Sequence, residues 1–330
     1  MTAPSPAAPT PTHRFLSYGG GTQSAALALM SAAGLLPRVD AVIFADTHGE
    51  LPETYEYAEY VEGHLDAVGI PFVRVSAGNL EHALLADAPT TNNPTPPAHV
   101  VNPDGSPGRI NAYRCSYDYK RRVILREVKR RTGGRGAWKR STVEQWLGFS
   151  TDEVARCKPA DECRCGHKRV RPPAEKGGPP RGHRPACDST RCSCPGFSPW
   201  QINRWPLIEL GFRRSDTIRW FGENGHPTPP RSACWFCPNS RNPRWAALKR
   251  DHPDLWERAC HLDETIRNGG GFNARGNVAF GGRMFLHDSR IPLRDADLRS
   301  AVERAADAGQ GDLFDGASIG MDCEAGVCFT

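Results

Sequence analysis

The sequence lacks any apolar run approaching the roughly 18 residues that a membrane-crossing helix needs, so a soluble protein with no membrane partner is expected. Its opening stretch, Met1 to Pro11, is rich in Pro, Ala and Thr and has neither the basic start nor the apolar core of an export signal. Cytoplasm is therefore the expected compartment. Disulfides are scarce there, and the twelve cysteines read as metal ligands or reactive thiols rather than covalent staples. Nor is there a large excess of one charge: the formal net charge is +5 over 330 residues, with 38% apolar content, enough for one large domain or two ordinary ones. The positive charge is concentrated, however. Between Arg109 and Arg140 twelve Lys and Arg stand against Asp118 and Glu127, a local balance of +10 that would attract a polyanion, although a solvated basic helix face has the same composition.

The organising stretch is Ser17-Tyr18-Gly19-Gly20-Gly21-Thr22-Gln23-Ser24, set between the apolar pair Phe15-Leu16 and the apolar run Ala25 to Met30. Three consecutive glycines let backbone N–H groups approach an oxyanion, and a helix starting at Ser24 aims its positive end at the same place. A side chain at Gly20 would occupy the position the oxyanion needs. Ser24 can cap the helix. A plain tight turn is the alternative reading.

The first hundred residues alternate between β and α patterns. Arg14 to Tyr18 is a strand, Ser24 to Ala33 a helix apolar all round, and Ala41 to Ala45 a second strand. A helix then opens at Pro52, with Ala58, Val61, Leu65 and Val68 at helical spacing, and Phe72 to Val75 is a third strand. This order implies a parallel sheet with helices on its faces and a ligand site at the carboxyl ends of the strands. Residues 86–109, dense in Pro, Asn and Gly, are expected to form a long loop without regular structure. A basic helix follows over Ala112 to Arg131, and two more are expected over Ser215 to Phe221 and Trp245 to Arg267.

The second strand runs into Asp46-Thr47-His48-Gly49-Glu50-Leu51-Pro52-Glu53-Thr54-Tyr55. Downstream come Cys115-x4-Lys120, Gly148-Phe149-Ser150-x-Asp152-Glu153-x2-Arg156, Trp205-Pro206-Leu207-Ile208 and Ser232-Ala233-Cys234-Trp235-Phe236-Cys237-Pro238. With the glycine loop, these motifs resemble the PP-loop ATP pyrophosphatase superfamily, and most of all its phosphoadenylyl-sulfate (PAPS) reductase branch, over roughly residues 13–156 and 200–245. There are departures. ATP-cleaving members carry Ser-Gly-Gly-x-Asp-Ser where this chain has Gly19 to Ser24, with Gln23 in place of the Asp, so a carboxylate is lost. Gln at this place is familiar from the sulfonucleotide reductases, but their C-terminal Glu-Cys-Gly-x-His is replaced here by Cys323-Glu-Ala-Gly-Val-Cys328.

The resemblance implies an α/β fold of the PP-loop/HUP-type Rossmann-like class, with an inserted Cys-rich metal module and a helical C-terminal part. Residues 1–12 would be a disordered tail, 13–156 plus 200–270 the nucleotide-binding domain, 157–199 the inserted module and 271–330 a C-terminal extension. It implies an adenine nucleotide, ATP with Mg or PAPS, held by Ser17, Gly19, Gly20, Gly21, Thr22, Gln23 and Ser24, with Asp46 and Thr47 near the adenosine. Cys115, Lys120 and Arg121 take the catalytic roles. The favoured reaction is ATP-dependent adenylation of a substrate for sulfur transfer. PAPS reduction by a cysteine thiolate and nucleotide binding without turnover are the alternatives.

Two further cysteine sets stand out. Cys157, Cys163, Cys165 and His167, then Cys187, Cys192 and Cys194, form two similar half-sites in a segment nearly devoid of apolar residues, a pattern that suits zinc. Its basic neighbours are those of a module binding tRNA or DNA. Cys234 and Cys237, with Cys115 as a distant third thiolate, resemble the three-cysteine iron–sulfur arrangement of tRNA-thiolating and DNA-phosphorothioating relatives. The three sulfurs are then expected to converge at the mouth of the nucleotide pocket, a structural zinc clip being the other possibility.

Overall fold

A computed structural model describes residues 11–88, 94–133, 142–157, 201–273, 282–300 and 303–304. Expectations for the N-terminal tail up to residue 10, for Cys163, Cys165, His167, Cys187, Cys192 and Cys194, and for Cys323 and Cys328 lie outside the described residues.

The first half follows the alternation read from the sequence: β1 (His13–Tyr18), α1 (Thr22–Ala32), β2 (Ala41–Asp46), α2 (Pro52–Asp66), β3 (Phe72–Ser76) and α3 (Leu80–Leu85). Then come β4 (Ala98–Val101), β5 (Pro107–Ile110), α4 (Arg114–Ser116), a π turn at Tyr117–Arg121, α5 (Arg122–Arg131) and β6 (Val143–Leu147). After a 3-10 turn at Thr151–Arg156 follow β7 (Gln201–Arg204), α6 (Pro206–Glu209), α7 (Arg214–Glu223), α8 (Asn242–Asp251), α9 (Pro253–Arg267) and β8 (Arg283–Phe285).

Five strands form a parallel sheet in the order β3-β2-β1-β6-β7. Side chains alternate across it as the two-residue strand period demands. Leu16, Tyr18, Val42 and Phe44 join α1, α2 and α7 in one apolar cluster, whereas Phe15, Ala41, Ile43 and Ala45 pack with Val123, Ile124 and Val128 of α5. Both faces are thus covered by helices, an α/β Rossmann-like arrangement. The α1 sequence is buried over most of its surface, and its small Ala side chains permit close approach to the sheet.

A charged ladder also fixes strand register. Glu144 on β6 is nearly buried and accepts from Arg14 Nε of β1 and Arg204 Nη1 of β7, both at 2.7 Å. Opposite charges on neighbouring strands reinforce one pairing, and a slip of one residue would turn Glu144 to the other face.

Several expectations are corrected. Residues 86–109 hold a hairpin: β4 and β5 pair antiparallel around a turn at Asn102 to Ser106, in which Gly105 has φ +82°. β8 adds to β4, giving a second sheet in the order β5-β4-β8, so the C-terminal part is not wholly helical. The expected helix Trp245 to Arg267 is two helices, broken where Pro253 cannot continue α8 and instead starts α9. Val68, expected on the buried stripe of α2, lies past the helix end and is 40% exposed. None of the helices among the described residues is long and apolar enough to cross a membrane.

Gly148 shows how tightly the site is framed. A Cβ there would lie 2.7 Å from the backbone nitrogen of Ser24 and 3.0 Å from the carbonyl carbon of Gln23, both parts of α1 that cannot swing aside. Gly148→Ala is expected to cost about 1–3 kcal/mol and lower the Tm by several degrees. Gly63→Ala, on α2 with open space around the site of its Cβ, should stabilise by about 0.5–1 kcal/mol. Thermal unfolding of the two variants checks the opposite signs.

Candidate functional site

In the parallel sheet β2 and β3 lie on one side of β1, and β6 and β7 on the other. Connections leaving β1 and β6 therefore diverge, opening a crevice at the carboxyl ends of these strands. A cleft occupies this place, lined by Gly19, Gly21, Thr22, Gln23 and Ser24 after β1 and by Gly148, Phe149, Glu153 and Arg156 after β6. Lys120, Arg214, Arg231 and Arg244 bring four more cationic side chains to the wall, with Ser232 and Cys237 between the last two.

The glycine loop is built differently from the sequence expectation. α1 begins at Thr22, and its N-cap is Gly21, in extended conformation. Ser24 instead ties the loop to the helix: its Oγ accepts from Gly19 N–H at 3.1 Å and donates to the Gly21 carbonyl at 3.1 Å. The first intrahelical bond runs from Ala25 N–H to the Gly21 carbonyl at 3.0 Å, which leaves the first-turn amides for an anion. Gly20 takes φ +78°, and a Cβ there would meet Thr54 Cγ2 at 2.7 Å. Gly20 thus serves the turn itself, and a side chain at that position collides with α2 rather than simply displacing an oxyanion.

A buried ion pair lies beside the loop. Lys120 Nζ lies 3.2 Å from Glu50 Oε1, with side chains 9% and 0% exposed. The Ser232 hydroxyl sits between the Gly19 carbonyl and Glu50 Oε2, 3.0 Å from the latter. Segments more than a hundred residues apart in the chain therefore meet at one carboxylate. Gln23 Nε2 donates to Glu153 Oε2 at 2.9 Å, and Glu153 also pairs with Arg156, whose guanidinium lies 4.5 Å from the centre of the Phe149 ring.

The cysteine loop is positioned by the second sheet. Cys237 N–H donates to the Cys234 carbonyl at 3.0 Å, closing a turn, and Trp235 N–H reaches the Gly49 carbonyl at 2.9 Å. His99 on β4 donates from Nε2 to the Pro238 carbonyl at 3.0 Å, and Arg109 on β5 bonds Asn239. Burial pushes the His99 pKa down, outweighing the opposing effect of that bond to Pro238. Cys234 Sγ lies 3.6 Å from Thr47 Oγ1.

Of the expected site residues that are described, Gly19, Gly21, Thr22, Gln23, Ser24, Lys120 and Cys237 line the cleft. Ser17 is buried and accepts from Gln145 Nε2 at 2.7 Å. Asp46 Oδ1 accepts from His48 N–H at 2.7 Å and from the Tyr55 hydroxyl at 2.8 Å, and Thr47 is buried beside the cysteine loop. Burial, together with the Asp46 bond, pushes the Tyr55 pKa up. Arg121 is exposed and lies over the Tyr117 ring at 5.9 Å. Cys115 and Cys234 pack against one apolar cluster containing Trp235, Trp245 and Trp256, while Cys237 turns to the cleft. Among the described residues no group of three or more His, Cys, Asp or Glu is placed to hold a metal ion. Cys157 sits at the end of the 3-10 turn, where burial pushes its thiol pKa up.

Glu50, Ser232, Arg214, Arg231 and Arg244 were not given roles by the sequence reading. Glu50 and Ser232 lie inside recognisable motifs, but no spacing rule connects them. Lys120→Met is expected to cost about 3–5 kcal/mol, because it leaves a buried carboxylate without its cation, while the double variant Glu50→Gln/Lys120→Met recovers most of the loss. Denaturant unfolding of both variants measures the difference. In comparison with known proteins, no family model matches the chain and no curated protein matches it.

Proposed function

We propose that the cleft binds an adenine nucleotide by its phosphates and that the protein is a PP-loop-type enzyme of the PAPS reductase branch, adenylating a substrate oxygen with Mg·ATP. The observation that carries this reading is the convergence of the glycine loop, the first turn of α1 and five cationic side chains on one cleft at the point where strand order reverses. In the step proposed, the acceptor oxygen attacks the α-phosphorus, pyrophosphate leaves and an adenylyl ester remains, which a sulfur or nitrogen nucleophile then displaces as AMP. Lys120 and the lining arginines would offset charge building on the departing pyrophosphate.

Mg2+ would be held mainly by the nucleotide phosphates, with Glu153 the carboxylate among the lining residues. Zinc in the inserted segment remains part of the proposal, as does an iron–sulfur cluster at the cysteine loop; no step above passes through either. Basic residues of α4 and α5 suit a nucleic-acid acceptor, tRNA or DNA. Their excess is tempered, since Asp118 pairs with Arg114 and Arg122 and Glu127 with Arg130 and Arg131. Cys237 on the cleft wall favours a second reading, in which its thiolate attacks the sulfur of PAPS, the sulfur–oxygen bond breaks and adenosine 3′,5′-bisphosphate leaves, and a second thiol then displaces sulfite from the Cys237 S-sulfonate and forms a disulfide with Cys237.

The test is product analysis with each nucleotide. Pyrophosphate from ATP is expected, falling at least 100-fold in Gly21→Val, whose Cβ would lie 3.7 Å from Ser232 Cβ on the cleft wall and crowd the glycine loop. Sulfite from PAPS, lost in Cys237→Ser, would replace the first reading by the second. Nucleotide binding with neither product would leave a binding protein.

A further inference from the structure

Outside the residues that line the cleft, α2 and the segment after α7 bring two histidines together. The His64 and His226 ring centres are 5.2 Å apart with the rings nearly perpendicular. Each ring is oriented through Nδ1 by the same residue: His64 Nδ1–H donates to the Tyr60 carbonyl at 2.9 Å, and His226 Nδ1 hydrogen-bonds the Tyr60 hydroxyl at 2.7 Å. His226 is further held by stacking on Trp220, with ring centres 5.5 Å apart. Both histidines are partly exposed, so an ion in solution can reach them.

We propose that His64 and His226 form a two-imidazole site for one first-row divalent cation of the zinc–nickel–cobalt class, bound through Nε2 of each ring with water completing the shell. Metal-binding histidines characteristically have the other ring nitrogen held by a carbonyl or a similar polar partner, as both are here. The spacing fits. With a metal–nitrogen bond of about 2.0–2.1 Å and about 1.15 Å from ring nitrogen to ring centre, two imidazoles at a tetrahedral angle place their centres about 5.2 Å apart. Imidazole nitrogen suits these cations over Mg2+ or Ca2+.

The ion has a place in the architecture of the cleft. His226 begins the segment that passes Pro227, whose carbonyl accepts from the Tyr57 hydroxyl at 2.7 Å, and ends at Arg231 and Ser232 on the cleft wall. A cation bridging His64 and His226 fixes that segment to α2. The inference does not depend on the reaction proposed above.

Equilibrium dialysis of the full chain against Ni2+, together with thermal unfolding with and without Ni2+, tests the site. All variants retain the twelve cysteines, so differences between them report only the imidazole pair. His226→Gln and His64→Gln are each expected to bind one Ni2+ fewer than wild type and to lose the corresponding Ni2+-induced rise in Tm. Tyr60→Phe, which keeps both rings and the Tyr60 carbonyl, should loosen that Ni2+ at least tenfold. Equal Ni2+ number and affinity in wild type and all three variants would overturn the site and leave an edge-to-face ring contact as the whole interaction. Unchanged affinity in Tyr60→Phe alone would overturn the positioning role of Tyr60.

Discussion

The site depends on one carboxylate. Glu50, whose side chain is fully buried, pairs with Lys120 from the π turn and with Ser232 from the segment following α7, and Ser232 in turn reaches the Gly19 carbonyl. Removing a carboxylate from water carries a penalty of several kcal/mol, met only when its oxygens are fully partnered. The folded chain is therefore constrained to bring the glycine loop, the β2–α2 connection, the lysine turn and the cysteine-loop segment to one point. The cleft is a consequence of that meeting, and Lys120 reaches its wall with its ammonium position already set.

The second sheet has a different task. β4 and β5 hold the residues after Cys237 through His99 and Arg109, while Arg290, in left-handed conformation at φ +58°, reaches back to the carbonyls of Val100 and Gly108 at 3.0 Å each. A strained arginine with two backbone partners locks the hairpin against the C-terminal segment. The cysteine loop is thus gripped between this hairpin and the β2–α2 connection, where Gly49 allows Phe236 to approach so closely that a Cβ would lie 2.9 Å from its ring. Cys237 is displayed by a rigid support on both sides.

How much of this was readable in the sequence depended on the range of the interaction. β1, α1, β2, α2 and β3 declare themselves because Leu16, Tyr18, Val42 and Phe44 answer one face and Phe15, Ile43 and Ala45 the other, a local pattern within a few residues. The hairpin of β4 and β5 was hidden by its prolines, since its pairing is completed by Met284 and Phe285 far along the chain, and no local propensity reports such a partner. In the site the same limit applies. Gly19 to Ser24 and Lys120 were legible as motifs, but Arg214, Arg231 and Arg244 carry no spacing signal and join the cleft only through tertiary packing. Asp46 shows what a motif leaves unsaid: its Oδ1 accepts from His48 N–H and from the Tyr55 hydroxyl, partners that its position in the sequence does not announce.

Gln23 and Glu153 are best understood as one feature. The loop carries Gln23 where the motif it resembles has an aspartate, and Gln23 Nε2 stands 2.9 Å from a carboxylate supplied after β6. An aspartate at position 23 would bring a second negative charge close to Glu153, an arrangement in which one of the two acids must hold a proton or recruit a cation. Glutamine removes the conflict by donating a hydrogen bond. Among the described residues the cleft has one carboxylate, itself paired with Arg156, and five cationic side chains. That balance favours an anionic occupant and gives a divalent ion fewer protein ligands than a loop aspartate and Glu153 together would offer.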